Sequence, residues 1–347
     1  LKASDYQEVD EINLSNIKLK SDNLLLKYYE NGTITQKEYE FSTEFETKVP
    51  KFYGNPKVHK ANIPYRPIVS QIDGPTSRLN MLVDYLLTNT ERKVEFLIKD
   101  TLEFLQIIIG KTIPEDSILV TLDVASLYTR IPWDEGIKIV CDEVMEHDKN
   151  IDPKLLGETI AFILENNYFQ INHRYWKQEE GIAMGSRLAV KYANIYMGKK
   201  FKITLTKTKY QPWFYLRLID DIFMIWTHGY EALKEFHQDI NRYDKNIQYE
   251  LNYNKEKITF LDTTVYIKNN SLYTQNYIKP TNKQMYLYAT SNHPKHCIQS
   301  LPYSQALRMR RNTSNDEELK ICIKQLKETF INRGYNRQKL DKTQAKI

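Results

Sequence analysis

The stretch YLRLIDDIFMIW, Tyr215–Trp226, places two adjacent carboxylates between two runs of apolar and aromatic residues. Two strand-like runs joined by two residues are typical of a β-hairpin, and Asp is a common turn residue. Taken alone, the pair therefore indicates a solvated turn more strongly than a metal site. The rest of the chain decides which interpretation of Asp220 and Asp221 holds.

A third carboxylate lies in a second apolar segment. The run DSILVTLDVASLY, Asp116–Tyr128, is interrupted by one acid, Asp123, which is the pattern of a buried central strand with a single functional charge. Carboxylates at a strand end and at a hairpin turn can converge on divalent cations, because hard oxygen ligands suit Mg²⁺ and the ion removes their mutual repulsion. Two such ions can activate an attacking hydroxyl and stabilise a leaving pyrophosphate.

Three further segments complete the outline of the chain. Helical spacing runs from Trp133 to His147. The stretch GIAMGSRLAVKYANIYM, residues 181–197, predicts a glycine turn followed by a helix with Ser186 as its N-cap. Residues 257–280 alternate and break at Asn269–Ser271, which predicts another hairpin. Mixed strands and helices in this order predict an α+β fold in which an antiparallel sheet packs on helices.

Composition favours a globular, intracellular protein. The chain has 347 residues, of which 41% are hydrophobic, and only 11 Gly and 12 Pro, so two or three lobes with a large core are expected. The N-terminal residues lack the pattern of a signal peptide, and no apolar run is long enough for a bilayer. Three scattered Cys residues favour a reducing compartment over a disulfide framework. We expect no membrane association.

Charge is unevenly distributed along the chain. Residues 1–47 hold five Lys and ten acidic residues, whereas residues 48–72 hold five basic residues and no acid. From Lys279 onward, fourteen basic residues face five acidic ones. Basic segments that flank a central region with carboxylates are typical of a protein that binds a polyanion. A solvated face remains the alternative interpretation of each charge run.

The order and the amino-acid sequences of these segments resemble those of a reverse transcriptase, most closely the type encoded by Penelope-like retroelements. The resemblance rests on finger segments KFYGNPKVHK and PYRPIVS, on LVTLDVASLYTRIP for motif A, on GIAMGSRLAVKYANIYM for motif B and on RLIDDIF for motif C. KITFLDTTVY, YIKPTNKQMYLYATSNHP and SLPYSQALRMRR resemble the later palm and thumb-entry segments. Several motifs in the correct order make a chance match implausible.

The resemblance implies a right-hand polymerase fold with fingers, a palm built on an antiparallel sheet, and a short helical thumb. It places an N-terminal extension at residues 1–47, fingers at 48–115, the palm at 116–295 with a finger insertion at about 134–180, and a partial thumb at 296–347. It further implies RNA-directed DNA synthesis, in which a primer 3′-hydroxyl attacks a dNTP. The implied partners are an RNA template, a DNA primer or target DNA, and dNTPs, while the oligomeric state stays open.

The resemblance also assigns roles to residues around the carboxylates. Asp123 and Asp220 would bind two Mg²⁺ ions, with Mn²⁺ as an alternative, Asp221 would be the third carboxylate, and Val124 would lend its backbone carbonyl. Tyr128 would stand against the sugar 2′ position and favour dNTPs over rNTPs.

Other residues would act on the nucleotide itself. One or both of Lys57 and Arg66 would hold the triphosphate, Arg by a bidentate fork and Lys as a point charge. Gly185 and Ser186 would let the backbone approach the nucleotide and template base. Lys255 or Lys257 would have the proton-donating role of the basic residue that follows the metal hairpin in polymerases, with an exposed strand-edge Lys as the alternative interpretation.

The sequence departs from the family pattern at two positions. Arg187 stands where motif B often has Pro, and Leu218 stands where motif C more often has an aromatic residue. RLIDD resembles the telomerase reverse transcriptase form of motif C, although the segment before the fingers is short for a telomerase. No GIY-YIG endonuclease signature appears before Ile347 and no RNase H segment fits, so we expect that this chain does not cut its own target. A non-catalytic nucleic-acid-binding protein is the alternative from a different class, and nuclear action is implied by the resemblance alone.

Overall fold

The computed structural model describes residues 5–58 and 63–344, and it places them in two compact units. Of the described residues, the first unit contains those within 1–97, 124–208 and 238–249, and the second contains those within 98–123, 209–237 and 250–347. Strands and helices mix in both units, as an α+β fold requires. The boundaries of fingers, palm and thumb stay a prediction, because the two units follow a different division of the chain.

The elements have the following bounds. The helices are α1 Leu14–Glu30, α2 Gln36–Thr43, α3 Ser77–Leu86, α4 Thr88–Glu91, α5 Thr101–Ile108, α6 Leu127–Arg130, α7 Trp133–His147, α8 Pro153–Glu165, α9 Ala189–Lys207, α10 Gly229–Tyr243, α11 Lys295–Asn312, α12 Asp316–Ile331 and α13 Arg337–Gln344. The strands are β1 Tyr6–Val9, β2 Lys51–Pro56, β3 Tyr65–Ser70, β4 Ile118–Val124, β5 Tyr168–Ile171, β6 Arg174–Gln178, β7 Phe214–Leu218, β8 Asp221–Trp226, β9 Tyr249–Asn254, β10 Lys257–Phe260, β11 Thr263–Lys268 and β12 Ser271–Asn276.

The first unit is organised around a five-stranded sheet in the order β1-β6-β5-β2-β3. Its strands pair antiparallel except for β2 and β5, which run parallel at Lys51 and Gln170. Phe169 packs at 5.5 Å from Phe52 and edge-on to Tyr6, so three strands share one aromatic core. The N-terminal extension therefore supplies an edge strand of this sheet, and residues 168–178 of the predicted finger insertion supply two inner strands.

The second unit contains two sheets, a four-stranded sheet in the order β7-β8-β4-β9 and a three-stranded sheet in the order β10-β11-β12. Phe104, Phe223 and Phe260 lie 4.7–5.6 Å from one another and join α5, β8 and β10 in one apolar cluster. The C-terminal helices have their own small core around Met309 and Phe330. The helical nature of the predicted thumb segment is therefore confirmed.

Several sequence predictions are confirmed by these elements. The helix at Trp133–His147 has the predicted bounds, and β4 lies between two other strands with Asp123 next to its end. The break at Asn269 and Asn270 is the turn between β11 and β12, where both residues have positive φ. Residues 257–280 hold three strands, however, and not one simple hairpin.

The predicted N-cap at Ser186 is wrong. Helix α9 begins at Ala189 and its N-cap position is Leu188, which makes no side-chain capping bond. Ser186 is buried, and its hydroxyl donates a hydrogen bond to Asn80 Oδ1 in α3. The serine thus ties the turn to a neighbouring helix, because a buried hydroxyl needs a partner and Asn80 offers one.

Gly185 is required by close backbone packing. Its φ is +116°, and a Cβ at this position would lie 2.3 Å from the carbonyl oxygen of Val69. The neighbouring Met184 carbonyl accepts a hydrogen bond from the Val69 N–H at 2.8 Å. The turn therefore lies directly against β3, and only glycine fits at this distance.

We expect Gly185→Ala to lower the free energy of unfolding by more than about 2 kcal/mol, because the clash with Val69 adds to the strain of a positive φ. Gly32→Ala is the matched control, since Gly32 has φ +77° and no atom within 4 Å of the added methyl. Its cost should be only about 1 kcal/mol. Denaturant unfolding of both variants measures the difference, and equal losses would contradict the packing argument.

Candidate active site

The turn of the β7–β8 hairpin carries Asp220. Leu218 pairs with Asp221 across the hairpin, which leaves Ile219 and Asp220 as the two turn residues. Ile219 has φ +55°, a conformation that costs a β-branched residue about 1–3 kcal/mol. Arg217, only 2% exposed, donates a hydrogen bond from Nη1 to the Ile219 carbonyl at 2.8 Å. The buried guanidinium thus holds the strained turn in place.

Strand pairing brings the third carboxylate to this turn. Asp123 on β4 lies directly opposite Asp221 on β8 in the antiparallel register. Directly opposite residues share one face of a sheet, with Cβ atoms roughly 4.5–5.5 Å apart. The charges of Asp123 and Asp220 both act on Asp221, so the three carboxylates form one carboxylate cluster at this edge of the sheet, while their role as metal ligands stays a prediction. Val124, the buried last residue of β4, follows Asp123 directly.

The cluster has an electrostatic cost. Burial and, to a smaller extent, the charges of Asp220 and Asp123 together raise the pKa of the Asp221 carboxyl to about 6, whereas the charge of Lys279 opposes the shift. A half-buried carboxylate among like charges favours its protonated form. A divalent cation would relieve this repulsion, and three carboxylates supply the hard oxygen donors that Mg²⁺ prefers. The residues present fit such an ion.

A second set of possible ligands occurs on α7. Glu143, Glu146 and His147 bring their ligand atoms within 4.8 Å of one another. Lys199 already places its ammonium 2.6 Å from the Glu143 carboxylate. That internal cation supplies the positive charge locally, so we assign no metal to this group.

Lys57 and Arg66 line one cavity of about 590 Å³ in the first unit. Neither side chain forms an ion pair within residues 5–58 and 63–344. Apolar residues form part of the wall, including Phe52, Ile171 and Met184. Unpaired cations around a cavity are suited to a phosphate group. Lys60, a neighbouring basic residue, lies outside the described residues.

Tyr128 is positioned by its backbone. It belongs to the single turn α6, and its carbonyl accepts a hydrogen bond from the Ile182 N–H at 2.6 Å. Gly181 packs so closely here that a Cβ would lie 2.3 Å from that carbonyl oxygen. The residues of this turn that line the cavity are Ser126, Thr129 and Arg130, while the predicted contact of Tyr128 with a sugar stays a prediction.

The remaining predicted residues lie elsewhere. Gly185 and Ser186 make the contacts with Val69 and Asn80 described above, so their expected role near a nucleotide stays a prediction. Lys255 and Lys257 are exposed at the turn between β9 and β10, where the Asn254 side chain accepts the Lys257 N–H. Their proton-donating role is likewise untested.

Two functional positions were missed from the sequence. Lys279 acts on the charge of Asp221, and Arg217 supports the turn beneath Asp220. Arg217 had a visible signal, because a charged residue between Leu216 and Leu218 in an apolar strand calls for a buried partner. Lys279 had none, since its approach to the carboxylates depends on the tertiary path of the chain.

Fold and carboxylate cluster together define the class of protein. An antiparallel sheet with one acid at a central strand end and two at the adjacent hairpin belongs to a polymerase palm of the right-hand type. The model of the family described as Reverse transcriptase (RNA-dependent DNA polymerase) matches residues 58–291, more than half of the chain. The chain therefore belongs to the reverse transcriptase family and carries an RNA-directed DNA polymerase domain, a nucleotidyltransferase.

Other comparisons concern the C-terminal segment and the fold. A model described as Animal helix-turn-helix domain matches residues 285–345. Telomerase from Candida albicans, in complex with a TWJ fragment of telomeric RNA, superposes with a TM-score of 0.57 and 11% identity over 94% of this chain and 63% of its own. Apo telomerase from Candida tropicalis gives a TM-score of 0.53 and 12% identity, with 87% and 59% covered.

These likenesses show the fold alone, and the chain spans about three fifths of the telomerase chains that it matches. No curated protein matches the sequence. Within the described part of the chain, no helix is long and apolar enough to cross a membrane.

We expect Asp221→Asn to stabilise the protein at pH 8 and to have little effect at pH 4. Below about pH 4 the Asp221 carboxyl is largely protonated in the folded and the unfolded parent, so folding carries no electrostatic penalty. As the pH rises through about 6, the carboxyl of the folded parent ionises and the free energy of unfolding falls. The gain at pH 8 should be about 1 kcal/mol after discounting for solvent screening.

Urea unfolding in a chelating buffer at the two pH values measures this gain. Asp142→Asn is the control, because Asp142 is an exposed acid on α7. The like-charge argument would be contradicted if the Asp221 variant and the parent differed in stability by the same amount at both pH values.

Proposed function

We propose that the protein is the RNA-directed DNA polymerase of a Penelope-like retroelement. The observation that carries the proposal is the register that sets Asp123 opposite Asp221, with Asp220 at the adjoining turn. In the proposed reaction, the primer 3′-hydroxyl attacks the α-phosphate of a dNTP and pyrophosphate leaves. Two bound Mg²⁺ ions, or Mn²⁺ ions, would lower the pKa of that hydroxyl and neutralise the leaving group.

We assign the binding of the metal ions and of the dNTP triphosphate to the following residues. Asp123 and Asp220 would hold the ions, Asp221 would complete the carboxylate set, and the Val124 carbonyl would add a neutral oxygen donor. The unpaired charges of Lys57 and Arg66 suit the dNTP triphosphate, because Arg offers two parallel N–H donors and Lys a point charge.

Other residues act at the sugar, the base and the leaving group. Tyr128 excludes a ribose 2′-hydroxyl, Gly185 and Ser186 keep the motif B turn beside the nucleotide, and Lys255 or Lys257 returns a proton to pyrophosphate.

The Penelope-like assignment is supported by the resemblance of the finger, palm and thumb-entry segments and, more weakly, by the match to the Animal helix-turn-helix domain. Its expected partners are an RNA template and a DNA primer or nicked target, and its expected place of action is the nucleus.

A telomerase-type reverse transcriptase is the second candidate, favoured by the RLIDD form of motif C and by the telomerase-like fold. Primer choice separates the two. Extension of nicked duplex DNA supports the first, and repeated addition of one short sequence to a single strand supports the second.

We expect Asp220→Ala to abolish RNA-templated primer extension, with a loss of at least about a thousandfold, because an ion would lose a carboxylate ligand. Asp142→Ala should keep parental activity, since Asp142 is an exposed acid on α7. Extension of a labelled DNA primer on RNA with dNTPs and Mg²⁺ is the measurement. A parent that binds RNA tightly and incorporates no dNTP would instead support the non-catalytic alternative.

Replacement of Tyr128 tests the proposed exclusion of ribonucleotides. Tyr128→Ala should raise rNTP incorporation relative to dNTP incorporation by about tenfold or more, because a bulky ring no longer occupies the 2′ position. Tyr128→Phe keeps the ring and should keep the parental preference. The ratio of kcat/KM for dATP and ATP reports the effect, and an unchanged ratio in the alanine variant would refute the role.

A further inference from the structure

Arg130 lines the same cavity as Lys57 and Arg66, although nothing in the sequence pattern assigned it a role. It is the last residue of α6, the single turn that follows β4. Ser126 begins this turn with φ +56° and accepts a hydrogen bond from the Thr129 N–H at 3.1 Å. Ser126, Thr129 and Arg130 all belong to the cavity wall.

The backbone of α6 is fixed on both sides. The Tyr128 carbonyl is bound by the Ile182 N–H at 2.6 Å, and Trp133 Nε1 donates to the Gly181 carbonyl at 2.6 Å. The chain is thus bound to Ile182 before Arg130 and to Gly181 after it, two adjacent residues that precede the motif B helix. The position from which the Arg130 side chain reaches the cavity is therefore well defined, which lowers the entropy cost of binding a ligand there.

Arg130 has no carboxylate partner among the described residues. Other cations of the first unit do pair with acids: Lys191 lies 3.0 Å from Asp84, and Lys200 lies 2.7 Å from Glu135. The cavity wall holds three cations that lack such partners and one carboxylate, Asp5, which is nearly fully buried. The balance of charge favours a polyanion over a neutral ligand.

We propose that Arg130 is a third cation of the triphosphate subsite, where its guanidinium binds non-bridging oxygens of the dNTP together with Lys57 and Arg66. The inference rests on the proposed polymerase function and deepens it by adding a substrate-binding residue. A guanidinium presents parallel N–H donors that match phosphate oxygens, and this bidentate geometry is unavailable to a lysine. Arg130 thus contributes to nucleotide affinity without taking part in the bond change.

Kinetics with dNTPs gives the first test. Arg130→Ala should raise the KM for dNTP by about tenfold and leave kcat within about twofold, because a charge-assisted contact to phosphate is present both before and during the reaction. Arg130→Lys should lie between the parent and the alanine variant. Arg92→Ala is the matched control, since Arg92 is an exposed arginine of the first unit outside the cavity and should behave as the parent.

Direct binding of inorganic tripolyphosphate gives a test that does not depend on catalysis. Calorimetry on the full chain without divalent ions should show about tenfold weaker binding for Arg130→Ala than for the parent and for Arg92→Ala. Equal tripolyphosphate affinity in the parent and Arg130→Ala, or no binding by the parent, would overturn the assignment. Loss of binding in Arg130→Ala while the parent fails to extend primers would refute the polymerase proposal and leave the anion site standing.

Discussion

The structure depends on the antiparallel pairing of β4 with β8. Because directly opposite residues face the same side of a sheet, the register that pairs Asp123 with Asp221 also decides where the carboxylates meet. A shift by one residue would turn Asp123 to the opposite face, and the cluster would not form. Leu122, Ile222, Phe223 and Met224 are buried in the same two strands, so that shift would also disrupt the packing of closely packed apolar side chains.

Two features of the carboxylate cluster lower the stability of the fold. Ile219 is strained at φ +55°, and the neighbouring charges with burial raise the pKa of Asp221 to about 6. Arg217 offsets the first cost by donating to the Ile219 carbonyl, while the packing of Phe104, Phe223 and Phe260 stabilises the strand that carries Asp221. A bound cation would relieve the repulsion among the three carboxylates, so this site is suited to a cation.

The sequence was informative where chemistry and periodicity agree, and uninformative where tertiary paths decide. The β7–β8 hairpin, the central strand with Asp123 and the helix at Trp133–His147 follow from local patterns. Ser186 looked like an N-cap, but its hydroxyl binds Asn80, a partner 106 residues away. Arg130 and Lys279 showed no local signal because their roles depend on which surfaces the fold brings near them. The packing of Gly185 against the Val69 carbonyl likewise had no local signal, because it depends on how β3 lies against the motif B turn.

The position of the bound metal tests the central claim most directly. A crystal of the protein with primer, RNA template, dNTP and Mn²⁺ would locate the ions by anomalous scattering. The account predicts peaks roughly 2.0–2.2 Å from carboxylate oxygens of Asp123 and Asp220. Absence of peaks at these residues, or strong peaks only at Glu143, Glu146 and His147, would contradict it.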